Sequence, residues 1–342
     1  MTDELKRYAR QLGFDDCRIA TAARAPHADA FLAWLAAAHQ GDMHWLERDP
    51  DRRTDPAQVL PGAKALVVVS MNYYQGRSAR RTPGRFARYA WGADYHDLML
   101  AKLKELAGFL AAQGGIQRCY VDTGPILERD FAAKAGVGWQ GKSTLCLNET
   151  LGTWFFLGTI VTTLPLEPDA PARSRCGTCT RCLDACPTQA LTAPYRLEAT
   201  RCLSYLTIEH HGPIPVEFRR ALGDRIYGCD ECLEVCPWNR FAKQSRELRF
   251  RESDALQTLT LAQLAQLTPE TFRRLFRHSP IKRLKWRRLI RNVCVCLGNV
   301  GTRSDLAVLE PLAQHSDGLI AEHARWAVEE ITARCRPVTP EA

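Results

Sequence analysis

The chain has 342 residues, 46% of them apolar and 25% charged, with a formal net charge of +8. That is enough length for two or three domains and enough apolar content for a sizeable core. No apolar run reaches the ~18 residues a membrane span needs, and the opening MTDELKRYARQLG has no apolar segment of the kind a signal peptide carries.

Residues 1–165 read as alternating helices and strands, an α/β domain. A first helix runs from Thr2 to Gly13 and a second, apolar one from Asp29 to Gln40. Lys64–Ser70 (KALVVVS) is a continuous β-branched run and predicts a buried strand. Asp94 is placed to cap a long amphipathic helix carrying Leu98, Leu103, Leu106 and Leu110, which Gly114 and Gly115 end. Arg118–Asp122 and Phe155–Thr163 are further strands.

The stretch Gly136-Val-Gly-Trp-Gln-Gly-Lys-Ser143 matches both GxGxxG and the P-loop pattern. Both motifs require a strand before the loop and a helix after it. The preceding Glu128–Ala135 is charged and helix-forming, and Asn148 and Gly152 mark a turn afterwards. Nucleotide binding is therefore not expected here. The glycines instead suit a loop whose backbone approaches a large flat ligand.

A proline-rich linker, PLEPDAPARSR, leads into the cysteines. Cys176, Cys179, Cys182 and Cys186 stand as C-x2-C-x2-C-x3-C, and Pro187 follows. This is the bacterial-ferredoxin pattern, in which three thiolates hold one [4Fe-4S] cluster and the fourth crosses to another. Cys229, Cys232 and Cys236, followed by Pro237, supply most of a second set, and Cys202 is the candidate for its missing member. Zinc is the competing reading. It wants two separated pairs, and three cysteines within seven residues crowd a tetrahedral site. Iron–sulfur thiolates without an export signal point to the cytoplasm. The other six cysteines, Cys17, Cys119, Cys146, Cys294, Cys296 and Cys335, read mostly as small buried hydrophobes.

Beyond residue 260 the pattern is helical, with an Arg-to-aliphatic spacing shared by Arg291–Leu297 and Arg325–Ile331 that is similar to HEAT-type repeats. Between Glu270 and Asp305 lie ten basic residues and no acid, among them Lys282, Arg283, Lys285 and Arg287. Without those ten the chain would hold fewer basic than acidic residues. The segment is interleaved with Phe272, Phe276 and Trp286, which predicts a face for nucleic-acid phosphates.

Together these stretches resemble the epoxyqueuosine reductases, cobalamin-dependent iron–sulfur enzymes that act on tRNA. The resemblance is carried by Arg88–His96 (RYAWGADYH), Val121–Asp130 (VDTGPILERD), Ala135–Lys142 (AGVGWQGK), Trp154–Gly158, both cysteine runs and Cys202–Glu209. Ser143 departs from the pattern, where Asn is more usual. The resemblance implies three segments. Residues 1–165 would be a cobalamin-binding α/β domain, similar to nitroreductases and reductive dehalogenases. Residues 166–245 would be a ferredoxin-like two-cluster domain, and 246–342 an all-α, HEAT-like tRNA-binding domain. It further implies one cluster on Cys176, Cys179, Cys182 and Cys236 and another on Cys186, Cys202, Cys229 and Cys232. Base-off cobalamin would lie near Arg53, Asp130, Ser204, Cys229 and Asp230, with Asp130 as the proton donor. The substrate would be tRNA carrying epoxyqueuosine, reduced by a monomer fed by a low-potential electron donor and needing no membrane. Two other readings compete: a ferredoxin-type electron carrier, and a corrinoid reductase of small molecules. The first leaves the α/β domain unexplained, and the second leaves the basic segment unexplained.

Overall fold

The computed structural model describes residues 1–336. It divides into two compact units. The first comprises Met1–Gly76, Ala93–Ala199 and Glu231–Phe250; the second comprises Arg77–Gly92, Thr200–Asp230 and Arg251 onward. The expected three consecutive segments are therefore not what the packing separates. Residues 231–250, which carry Cys232 and Cys236, pack with the α/β part inside the first unit. Asn239 accepts from the Thr153 amide at 2.9 Å, the Lys243 carbonyl accepts from Asn72 at 2.7 Å, and Trp238 meets Trp139 edge-on.

In the first unit, helix α1 (Thr2–Gln11), strand β1 (Asp16–Thr21), helix α2 (Ala28–Ala36) and strand β2 (Ala65–Asn72) are followed by the long helix α3 (Tyr95–Ala111). Strand β3 (Gln117–Tyr120), helix α4 (Glu128–Ala135) and strand β4 (Phe155–Thr162) complete the frame. The sheet order is β1-β2-β4-β3, antiparallel at every pairing, with Val67 opposite both Ile19 and Ile160. Every residue of β2 is buried. Leu66 and Val68 pack with Phe131, Ala132 and Ala135 of α4. On the other face, Leu103 and Met99 of α3 press close to Gly158 and Val69. A strand covered on both faces has no polar side to show, which is why its sequence is a continuous apolar run. Asp94 caps α3 by accepting from the His96 amide at 3.1 Å, a contact of about 1 kcal/mol.

The glycine loop follows α4 directly and enters a short hairpin pairing Trp139–Gln140 with Cys146–Leu147. No strand feeds it, so the phosphate-loop reading is excluded on context. A Cβ on Gly138 would lie 2.1 Å from the Leu147 carbonyl oxygen. The close approach found there is to the chain's own backbone.

In the second unit, helix α5 (Leu203–Ile208) leads to the C-terminal helices α6 (Lys285–Val300), α7 (Leu306–Ala313) and α8 (Gly318–Arg334). α8 packs on both α6 and α7. His323 of α8 donates through Nδ1 to the Leu319 carbonyl and accepts the Ile214 amide on Nε2 at 3.1 Å. Burial holds its pKa down to about 4, so it stays neutral. Among the described residues no helix is long and apolar enough to cross a membrane.

Candidate active site

The four sulfurs of Cys176, Cys179, Cys182 and Cys236 all belong to the first unit, partly exposed and free of disulfides. Short helices at Arg181–Asp184 and Glu231–Glu234, carrying Cys182 and Cys232, pack together within the first unit. Burial, and then the charges of Cys176, Cys182 and Cys179, push the Cys236 thiol up to about 11. Those three thiols thus lie close enough to Cys236 to be felt there, and an iron–sulfur core would relieve their repulsion. Lys142 donates to the carbonyls of Gly177 and Cys179, at 2.6 and 3.0 Å, pinning the first run. A cavity of about 860 Å³ opens beside the runs, lined by Arg181, Asp184, Glu234, Cys236, Asn239 and Arg240. Among the described residues no three His, Cys, Asp or Glu side chains are drawn together tightly enough to hold a single metal ion.

The second expected set is divided. Cys186 and Cys232 lie in the first unit, Cys202 and Cys229 in the second. Cys186 Sγ accepts from the Ala190 amide at 3.2 Å. Cys202 stands immediately before α5, as its N-cap.

The other expected site residues also fall in both units. In the first, Arg53 donates to the carbonyls of Trp45 at 2.8 Å and Gly124 at 3.4 Å, while its buried Nε has no partner. Trp139 Nε1 and Gln140 Oε1 are likewise buried and unsatisfied. Orphaned polar groups of this kind cost stability unless something polar meets them, and they fit the amide-fringed edge of a corrin. Asp130 is buried in the first turn of α4, and both of its oxygens are engaged by His27: the backbone amide at 2.9 Å and Nδ1 at 2.8 Å. In the second unit, Ser204 lies in the first turn of α5, and Asp230 accepts from the Arg88 amide at 2.7 Å.

A cluster missed in the sequence lies at the end of β3. Asp122 adopts a left-handed backbone, φ 59°, uncommon for a residue with a side chain. Its side chain is 67% exposed, yet protein surrounds it closely enough that desolvation is the largest influence on its carboxyl. The Tyr95 hydroxyl and the nearby His96 ring outweigh the desolvation and hold the carboxyl below the usual range. Tyr95 Oη donates to Oδ2 at 2.9 Å, and His96 Nε2 stands 3.6 Å from the same oxygen. His96 Nδ1 donates to Asp94 Oδ1 at 2.7 Å. Desolvation works against the charged ring, but Asp122 and Asp94 raise its pKa to about 9. Glu128 Oε2 accepts from the Asp122 amide at 2.9 Å, and its Oε1 is buried without a partner. Burial, aided by the Asp122 charge, lifts Glu128 to about 8. At neutral pH the cluster thus holds a carboxylate, an imidazolium and a carboxylic acid. The only signal for it in the sequence was the run of Asp94, His96, Asp122 and Glu128 at the ends of neighbouring elements.

The basic segment departs from expectation in the second unit. Arg291 is fully buried, donating to the carbonyls of Leu206, His210 and Gly212, and Arg288 is buried against the Ile208 carbonyl. Phe272 and Phe276 are core residues, so neither is placed to stack on a base. Of the four basic residues singled out, Lys282, Arg283, Lys285 and Arg287 are all exposed. Arg283 pairs with Glu209 at 2.9 Å and Arg287 with Asp317. Arg273, Arg274, Arg277 and His278 line an open cavity of about 630 Å³.

Known proteins resemble this chain in sequence and fold. Residues 53–123 match the family model "Epoxyqueuosine reductase QueG, DUF1730", and residues 175–239 match a "4Fe-4S double cluster binding domain". The epoxyqueuosine reductase of Xanthomonas campestris pv. campestris is 42% identical, over 95% of this chain and 95% of its own. This chain belongs to the epoxyqueuosine reductase family. The Escherichia coli member is 37% identical over 96% of this chain and 89% of its own. Among solved structures, an epoxyqueuosine reductase with a tRNA-Tyr epoxyqueuosine-modified stem loop superposes with a TM-score of 0.89 at 32% identity, covering 96% of this chain and 89% of that one. The family's double-cluster domain spans both cysteine runs, as their spacing implied.

Proposed function

We propose that this chain reduces epoxyqueuosine to queuosine at the wobble position of tRNA. The observation that carries the reading is kinship along nearly the whole chain, 42% over 95% of both sequences, with the Xanthomonas enzyme. Cys176, Cys179, Cys182 and Cys236 would hold one [4Fe-4S] cluster, and Cys186, Cys202, Cys229 and Cys232 the other. Arg53, Ser204, Cys229 and Asp230 would meet base-off cobalamin. Bound there, the clusters pass electrons singly and the cobalamin supplies a strongly reducing nucleophile.

The chain's own residues must handle the protons. Removing an epoxide oxygen as water, leaving an alkene, takes two electrons and two protons. The resemblance names Asp130 as the acid. Its two oxygens are committed to His27 on a helix, whereas the Bacillus subtilis relative is described with an aspartate-bearing catalytic loop swung out of its active site. Asp122 is the loop aspartate of this segment, with an exposed side chain. We therefore assign proton delivery to Asp122, which rests as a carboxylate and passes on protons received from its neighbours, and give Asp130 the task of joining the His27 loop to α4. Exposed groups around Lys282–Arg287 and Arg273–Arg277 would receive the tRNA phosphates.

The test is turnover of epoxyqueuosine-containing tRNA by the reconstituted enzyme, read by nucleoside mass spectrometry. Asp122→Asn should lose about 10²–10⁴-fold in kcat, while Asp130→Asn should lower the melting temperature and keep most of the turnover. The reverse pattern returns the acid to Asp130. No queuosine from the wild-type enzyme refutes the activity.

A further inference from the structure

We propose that His96 supplies the protons of each turnover through Nε2 by way of the Asp122 carboxylate, with Asp94 fixing the ring. The inference rests on the epoxyqueuosine-reducing reading above, which sets the demand: two C–O bonds break, one C=C π bond forms, and the oxygen leaves as water. The electrons come from the enzyme's reduced centres. Asp122 rests as a carboxylate, so each of the two protons must reach it from a neighbouring group before the oxygen can depart as water.

The geometry provides the route. Nε2 is buried, has no hydrogen-bond partner, and faces Asp122 Oδ2 at 3.6 Å. Nδ1 is already committed to Asp94 Oδ1 at 2.7 Å, so Nε2 is the ring's one available donor. The ring is held on its flat side as well, stacked on Tyr95 with centroids 4.0 Å apart, and Tyr95 is stacked on Phe156 at 4.1 Å. Four other groups set the local field: Asp94 at the start of α3, Asp122 on the loop after β3, and Glu128 and Arg129 on α4. The two aspartates keep the ring cationic, with a pKa near 9, so a proton is in stock at neutral pH. Glu128 holds the Asp122 amide and, being neutral, adds no competing charge. After transfer the neutral imidazole regains its proton from water, since the ring is partly exposed.

The experiment compares His96→Gln and Asp94→Asn with the wild-type holoenzyme. For His96→Gln we expect kcat to fall about 10²-fold, with KM for the tRNA, iron content and cobalamin content unchanged. Imidazole added to the buffer should restore part of the rate. The wild-type rate should hold up to about pH 9, whereas the variant, drawing protons from solvent, should slow steadily from neutral pH upward. A variant with wild-type kcat and pH profile overturns the proposal, as does a loss that imidazole does not relieve. A wild-type enzyme that makes no queuosine strikes the activity reading alone. The coupling is then judged from the His96 ring titration by nitrogen-15 NMR. Asp122→Asn should move that titration to lower pH, and an unmoved titration overturns the pairing.

Discussion

Replacing Glu128 by Gln should stabilise the protein, and by an amount that depends on pH. The Glu128 carboxyl, pushed from 4.5 to about 8 by burial and then by the Asp122 charge, keeps its proton in the folded chain where the unfolded chain has lost it. The folded state therefore binds more protons between those two values. Stability is full below pH ~4.5 and drains away at about 1.4 kcal/mol per pH unit as pH rises toward 8. Integrated over the window, holding this acid neutral costs on the order of 3–5 kcal/mol at pH 8. A carboxamide has the same shape, accepts the Asp122 amide as before, and has nothing to ionise. Melting curves at pH 5, 6, 7 and 8 should show the Glu128→Gln variant gaining on the wild type as pH rises, to a difference of order 10 °C. His96 adds a second, independent loss above pH ~6.5 that both proteins share, since its raised pKa is also forfeited as pH climbs through about 9. A wild-type-to-variant gap that is the same at every pH would refute the assignment of a buried, protonated Glu128.

Reconstituted wild-type protein should hold about eight iron atoms; Cys202→Ala should lower that content and alter the cluster spectrum, and full iron with an unchanged spectrum would remove Cys202 from the ligands. Neutralising Lys282, Arg283, Lys285 and Arg287 together should weaken tRNA binding and flatten its salt dependence between about 50 and 200 mM, leaving iron and cobalamin content intact. An affinity indifferent to salt would make these residues a solvated face only. Gly298→Ala should lower the melting temperature by the equivalent of about 1–3 kcal/mol, because its Cβ would lie 2.4 Å from the Trp326 ring where α6 meets α8; an unchanged midpoint would show that this helix contact yields.

What the sequence disclosed depended on whether a signal was local. The cysteine runs were legible because ligand spacing is fixed within a few residues. The Asp94 cap and its helix were legible for the same reason, and the observed Tyr95–Ala111 falls inside the expected bounds. The buried strand at 64–70 was visible, but a strand covered on both faces looks alike in parallel and antiparallel sheets, so the pairing was not. β1, whose residues Asp16–Thr21 include two charges, lacked the apolar run and was missed. Arg288 and Arg291 looked like phosphate ligands because composition cannot tell a guanidinium in solvent from one satisfied by carbonyls of distant residues. The cluster around Asp122 fared worst. Asp122 reads as the end of a strand, and only the fold brings it to His96.

The buried polar side chains of α6 have a consequence for how this protein can be divided. Besides Arg291, Asn292 donates to the carbonyls of Thr207 and Ile226, and Asn299 to those of Arg219 and Gly223. Those carbonyls belong to the segments that carry Cys202 and Cys229. A helix that looks, by position, like a detachable RNA-binding tail is therefore the splint on which half of a cysteine set is mounted. Cutting the chain before α6 would bare several carbonyls in an apolar interior at once. A hybrid that borrows the metal-binding segments of one relative and the tail of another would have to carry this helix across with them.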